Sequence, residues 1–180
     1  DKERDIEFEI DNEYIMSPKD LKTIGFLDRM VKAGVRVFKI EGRARGPEYV
    51  RAVVECYDGA LKAIAENRWN EQVSQSWDAK LASVFNRGFW DGFYLGAPVG
   101  ELTQHYGSQA TEKKIYVGKC LKYFAKAQVA EFLVQAQDFS LGEKLLITGP
   151  TTGAIYVTPE DILEDGMKLT EIKKGMDITF

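Results

Sequence analysis

The stretch "VFKIEGRARGPEYVRAVVECY", Val37 to Tyr57, sets four charged residues, Lys39, Glu41, Arg43 and Arg45, between an apolar run and an apolar helix. A short connection needs only turn residues, so these charges call for a reason of their own. A carboxylate at Glu41 can work as a base or position a substrate, and Lys39 beside it is the second catalytic candidate. Arg43 and Arg45 suit an anionic substrate group, because a planar guanidinium grips a carboxylate or phosphate through a two-pronged contact. The competing reading of the same residues is an internal salt-bridge network.

The flanking pattern says what would position them. "VRVFKI" is rich in β-branched residues and short enough for a buried strand, on which Val37, Lys39, Glu41 and Arg43 alternate with Phe38, Ile40 and Gly42. One face is then apolar and the other charged. Pro47 opens a helix carrying Val50, Val53, Val54, Tyr57, Leu61 and Ile64 at helical spacing. Beside that stripe run Ala52, Cys56, Gly59 and Ala63, small enough for a neighbouring helix to approach closely. Upstream, Ser17 as N-cap and Pro18 at the first helical position predict a helix with Leu21, Ile24, Leu27 and Val31 on one face, ended by Gly34. Before it, "DIEFEID" alternates like a half-exposed strand and turns through "DNE" into a hairpin. Helix, strand and helix with short connections are the repeating element of a parallel α/β fold. In a barrel, the charged face of "VFKIEGR" points inward near the strand's C-terminal end, where such folds keep their active sites.

After Arg68 a short helix is expected in "SWDAKLASVF". The aromatic and glycine-rich "NRGFWDGFYLG" follows, a binding loop or a hydrophobic plug, and then a polar boundary at "APVGELTQHYGSQATEKK". From Ile115 onward the period changes to short β segments with no room for crossover helices, which predicts an antiparallel sheet closed into a small barrel or sandwich. Its core candidates are Val129, Phe132, Val134, Leu145, Ile147, Ile155 and Val157. Lys113, Lys114, Lys119, Lys122 and Lys126 precede the first acid of this half, Glu131. Of these, Lys113, Lys119, Lys122 and Lys126 are nucleic-acid-binding candidates, against the plainer reading of a solvated face.

The 180 residues, 44% hydrophobic and 29% charged with a net charge of -4, describe a globular chain. No apolar run reaches the ~20 residues of a membrane span, and the first residues lack a signal peptide's pattern, so a cytoplasmic protein without a membrane partner is expected. Cys56 and Cys120 match no metal-ligand spacing and no disulfide framework. Cys56 is expected in helix packing. Because the chain opens at Asp1 within a strand-like pattern, it is expected to be a piece of something longer.

Together, "EYIMSPKDL", "AGVRVFKIEGRARGPEYVRAVVECY" and "FNRGFWDGFYLG" resemble the peptidase U32 family, the collagenase-like proteases. "SLGEKLLITGPTTGAI" resembles domain 2 of translational GTPases, a β-barrel that some family members carry at their C-terminus. The resemblance implies an α+β chain in three parts. Residues 1–70 would be the last strand and helix units of a TIM-barrel-like catalytic domain, 71–112 a helical and aromatic connector, and 113–180 an antiparallel β-barrel accessory domain. Exposed faces of the incomplete barrel would favour a homodimer or packing onto the connector.

The resemblance also implies chemistry. Some family members hydroxylate tRNA or rRNA bases with prephenate-dependent chemistry and an iron–sulfur cluster, and related proteins hydroxylate a quinone precursor. The family's pattern has a cluster cysteine after the Asp-Leu of "SPKDL", where this chain has Lys22, and the other cluster cysteines would lie upstream of Asp1. No cofactor and no metal site is therefore expected within these residues; a cluster implied by the resemblance would belong to the full-length protein, and Lys22 departs from its four-cysteine pattern. For proteolysis the chain offers one histidine, His105, and no adjacent Ser/His/Asp set. Three function classes stand: the C-terminal part of an RNA-hydroxylating enzyme with the β-barrel as an RNA- or partner-binding module, a collagenase-like peptidase, and a non-catalytic binding module. In each, this stretch alone is expected to be inactive.

Overall fold

The computed structural model describes residues 17–97 and 100–180, so the strand and hairpin expected before Ser17 lie outside the described residues. Two compact units divide between Glu112 and Lys113. The first opens with β1 (Asp20–Leu21), a 3-10 turn (Ile24–Phe26) and α1 (Leu27–Lys32). The helix expected from Ser17 starts only at Leu27. Asp20 and Leu21 instead run parallel to β2 (Phe89–Trp90), with the Asp20 amide donating to the Gly88 carbonyl at 2.8 Å and the Lys22 amide to that of Trp90 at 2.9 Å. This ladder takes donors that a first helical turn would leave unused, and outweighs the local capping signal. Ile24 and Leu27 of the expected face are fully buried, while Leu21 is exposed.

α2 (Pro47–Ala65) has Pro at its first turn, and α3 (Glu71–Ser83) is capped by Asn70, whose Oδ1 accepts from the Val73 amide at 2.9 Å. α3 packs along the small-residue stripe of α2. Cys56, Ala60 and Leu81 are buried there with Ile24, Leu27 and Val53, and a Cβ at Gly59 would stand 2.7 Å from the Trp77 ring. The chain's own connector thus covers this face.

The stretch expected as a buried strand differs. Residues 35–42 pair with no other strand among the described residues. Phe38 and Ile40 do pack on the core of α2 and α3, so the alternation is real. Lys39, Glu41 and Arg43 are on the exposed side, with Val37 at 84% exposure, because no neighbouring strand among the described residues walls that face in.

The second unit is antiparallel throughout. Its main sheet has five strands: β3 (Gly118–Phe124), β4 (Val129–Val134), β11 (Asp177–Thr179), β8 (Leu163–Glu164) and β9 (Met167–Lys168), in that order. β5 (Phe139–Ser140) pairs with β10 (Glu171–Ile172), and β6 (Leu145–Gly149) pairs with β7 (Gly153–Val157). The core is Val134, Phe139, Ile162, Ile172 and Ile178, with Phe132 and Leu145 packed against it. Of the other expected core residues, Ile155 is exposed, since the β6–β7 hairpin pairs only within itself and one of its faces stays open. No helix among the described residues is long and apolar enough to cross a membrane.

Candidate functional site

Three distant segments meet at Asp20. Its Oδ1 accepts from Nη2 of Arg45 at 2.9 Å and from Nη2 of Arg87 at 3.1 Å, and its Oδ2 accepts from the backbone amide of Arg87 at 2.9 Å. The side chains of Asp20 and Arg45 are largely buried, at 15% and 16% exposure. Arg45 also stacks on Phe85, its Cζ 4.2 Å from the ring centroid, and lies 5.4 Å from that of Tyr49. Burial, helped by the Asp20 charge, pushes the Tyr49 phenol up. Arg87 is aimed by Asn86, which is buried and donates to the carbonyls of Ala82 and Val84 while its Oδ1 accepts from the Gly88 amide.

Arg45 therefore does not share the exposed face of Lys39, Glu41 and Arg43. The reason is Ala44, whose φ of 58° puts it in the left-handed region, with the Arg45 amide closing a turn onto the Gly42 carbonyl at 3.0 Å. Alternation stops at Arg43, and Arg45 swings to Asp20. The salt-bridge reading thus describes Arg45, and an open charged face describes the other three.

On that face the Arg43 amide donates to Glu41 Oε1 at 2.7 Å. This hydrogen bond, followed by the positive charges of Arg43 and Lys39, holds the Glu41 carboxyl below the usual carboxylate range. A carboxylate so held is ionised at neutral pH and is a weak base. Glu41 is better suited to accept hydrogen bonds from a substrate, or to attract a cationic group, than to remove a proton.

The residues present do not fit an iron–sulfur cluster. The ammonium of Lys22 donates to Asp78 Oδ1 at 3.0 Å and lies 4.9 Å from the Phe89 centroid. Cys56 is buried under α3, with its thiol pushed up to about 11 by burial, and Cys120 belongs to the second unit. Among the described residues no group of three or more His, Cys, Asp or Glu could hold a metal ion.

In the second unit Lys113, Lys119, Lys122 and Lys126 are all exposed. Lys119 and Lys122 lie on β3, an outer strand of the five-stranded sheet, Lys126 lies in the turn after it, and Lys113 precedes it. The ammonium of Lys122 stands 4.7 Å from the Phe124 centroid. Asp20, Asn86 and Arg87 are the residues that sequence reasoning missed. Asp20 and Arg87 lie in the quoted "SPKDL" and "FNRGF" segments, but nothing in local periodicity links two positions 67 residues apart.

The pattern that defines Peptidase family U32 matches residues 1–104, which include every segment meeting at Asp20. The chain belongs to peptidase family U32. A collagenase of Porphyromonas gingivalis is 52% identical to this U32 chain over 179 residues, covering 99% of it and 43% of the collagenase. The tRNA hydroxylation protein P1 of Bacillus subtilis is 31% identical over 172 residues, covering 94% of the U32 chain and 40% of that protein. The chain thus spans less than half the length of these relatives. In a crystal structure, the C-terminal domain of a Geobacillus thermoleovorans U32 peptidase aligns with 37% of the chain and 83% of its own length. The TM-score is 0.35 and the sequence identity 19%.

Proposed function

We propose that this chain is the C-terminal part of a cytoplasmic U32 enzyme that hydroxylates tRNA or rRNA bases. Residues 1–70 belong to the end of its TIM-barrel-like catalytic domain, and residues 113–180 form its RNA-binding module, a β-barrel of the kind found as domain 2 of translational GTPases. The observation that carries this reading is the exposed lysine-lined strand in a chain of net charge -4. Segregated cations on an otherwise neutral or acidic protein suit a polyanion, since each phosphate contact releases counterions. Lys39, Glu41 and Arg43 then form an open charged face for an anionic donor or for the base's polar edge. Iron–sulfur chemistry in the full-length enzyme would draw its ligands from outside these residues.

Proteolysis is the second reading. It is favoured by the higher identity to a protein named a collagenase and by Lys22, which supplies no cluster ligand. The buried Cys56 thiol cannot serve it as a nucleophile, because a thiol titrating at about 11 carries almost no thiolate at neutral pH. Mass spectrometry of nucleosides from cells with and without the gene, alongside gelatin cleavage by the purified full-length protein, separates the two. Loss of one hydroxylated nucleoside with no cleavage supports hydroxylation. An unchanged nucleoside profile with cleavage supports proteolysis.

A further inference from the structure

The ladder between β3 and β4 is interrupted once. Cys120 pairs with Phe132 and Lys122 with Glu131, so Leu121 is an extra residue without a partner. In a regular strand Lys119 and Lys122, three residues apart, would project from opposite faces. The bulge restores them to one face, since their partners Leu133 and Glu131 are two apart on β4, and Phe124, paired with Val129, joins the same row. Lys119, Lys122 and Phe124 thus form a line along the outer strand. Glu131, directly across from Lys122 on the second strand, and Asp177 on the third share that face. Tyr123, on the other side of the strand, is 60% exposed, and Phe124 is 38% exposed.

A bulge and lysines on an outer strand also discourage pairing with other chains. That purpose does not account for the aromatics, since exposed Leu121, Tyr123 and Phe124 on the same edge would raise the hazard. Cations in line with an exposed ring are what an unpaired nucleic-acid strand requires, with phosphates on the ammonium groups and bases on the ring. A duplex offers its phosphates but keeps its bases stacked inside.

We propose that the β3 edge binds single-stranded RNA, with Lys119 and Lys122 contacting phosphates and Phe124 stacking an unpaired base. The proposal rests on the reading that the whole protein acts on RNA, and it names the form of RNA that this unit takes.

The test is fluorescence anisotropy of the 180-residue chain with a labelled single-stranded RNA and the duplex of the same sequence, across a salt series. Single strands should bind more tightly than duplex. Lys119→Gln and Lys122→Gln should each flatten the log–log salt dependence by about 0.7. Phe124→Leu should weaken single-strand binding roughly 5- to 100-fold without changing the salt slope, and Phe124→Tyr should retain binding. Lys168→Gln, which removes an exposed ion pair to Asp161, should change nothing. Circular dichroism identifies any variant that fails to fold, and the lysine variants then carry the test. Equal binding of duplex and single strand, no effect of Phe124→Leu in a folded protein, or no RNA binding at low salt each overturns the proposal. Failure of the functional reading is distinguishable: if the gene's loss removes a hydroxylated nucleoside while the β3 variants bind and act like wild type, hydroxylation stands and the β3 site does not.

Discussion

Asp20 accepts hydrogen bonds from two guanidinium groups and a backbone amide through one carboxylate, in surroundings that are mostly closed to water. Asp20→Asn keeps the shape and one acceptor but leaves Arg45 and Arg87 without their counter-charge. The expected cost is about 2–4 kcal/mol, read as a lower unfolding midpoint in urea. Glu41→Gln, on the open face, should leave the urea midpoint nearly unchanged. If the two variants melted alike, the division between a scaffold at Asp20 and a site at Glu41 would be wrong. Cys56 gives a pH dependence. Its folded pKa of about 11 lies above its unfolded value near 9, so folding disfavours the thiolate. The resulting stability is complete below about pH 9 and is lost between about 9 and 11, by roughly 2–3 kcal/mol. Cys56→Ala should remove that component, measured as the difference between wild-type and variant urea midpoints across the interval. A difference that is constant with pH would contradict it.

At the scale of elements, the contact between α2 and α3 gives a test of opposite signs. Gly59→Ala ought to stabilise an isolated helix by about 1 kcal/mol, but the added methyl would meet the Trp77 ring at 2.7 Å. Overpacking of this kind costs about 1–3 kcal/mol, so a net loss of thermal stability is expected, reversed when Trp77→Leu is added. A gain on Gly59→Ala alone would mean that α3 is not seated on that stripe. The stripe was legible before the structure because Ala52, Cys56, Gly59 and Ala63 share a helical face, and local spacing determines a helical face. The alternation of Phe38 and Ile40 against Lys39 and Glu41 was legible for the same reason. Three features were not. The parallel pairing of Asp20 with Phe89 is a contact between distant residues, and it overrode the capping signal at Ser17 and Pro18. The left-handed turn at Ala44 has no glycine to announce it, and the bulge at Leu121 shows only in the pairing register. Ile162, Ile172 and Ile178 escaped the reading of the core because they lie in or beside very short strands, where alternation is too brief to recognise.

At the scale of the molecule, the chain holds two units with different charge arrangements. The first keeps Arg45 and Arg87 inside on Asp20 and leaves Lys39, Glu41 and Arg43 open; the second carries its exposed lysines along an outer strand. Under the proposed function, the open face would meet the RNA substrate and the lysine strand would hold the nucleic acid, while the Asp20 cluster ties three distant segments of the first unit together. The most direct measurement is the hydroxylated-nucleoside content of tRNA and rRNA from a strain lacking the gene, re-expressing either the full-length protein or its Glu41→Gln variant at matched folded levels. Deletion should remove a hydroxylated nucleoside, the wild-type protein should restore it, and Glu41→Gln, though folded, should restore little. Full restoration by Glu41→Gln would take Glu41 out of the site, and a nucleoside profile untouched by deletion would contradict RNA hydroxylation itself.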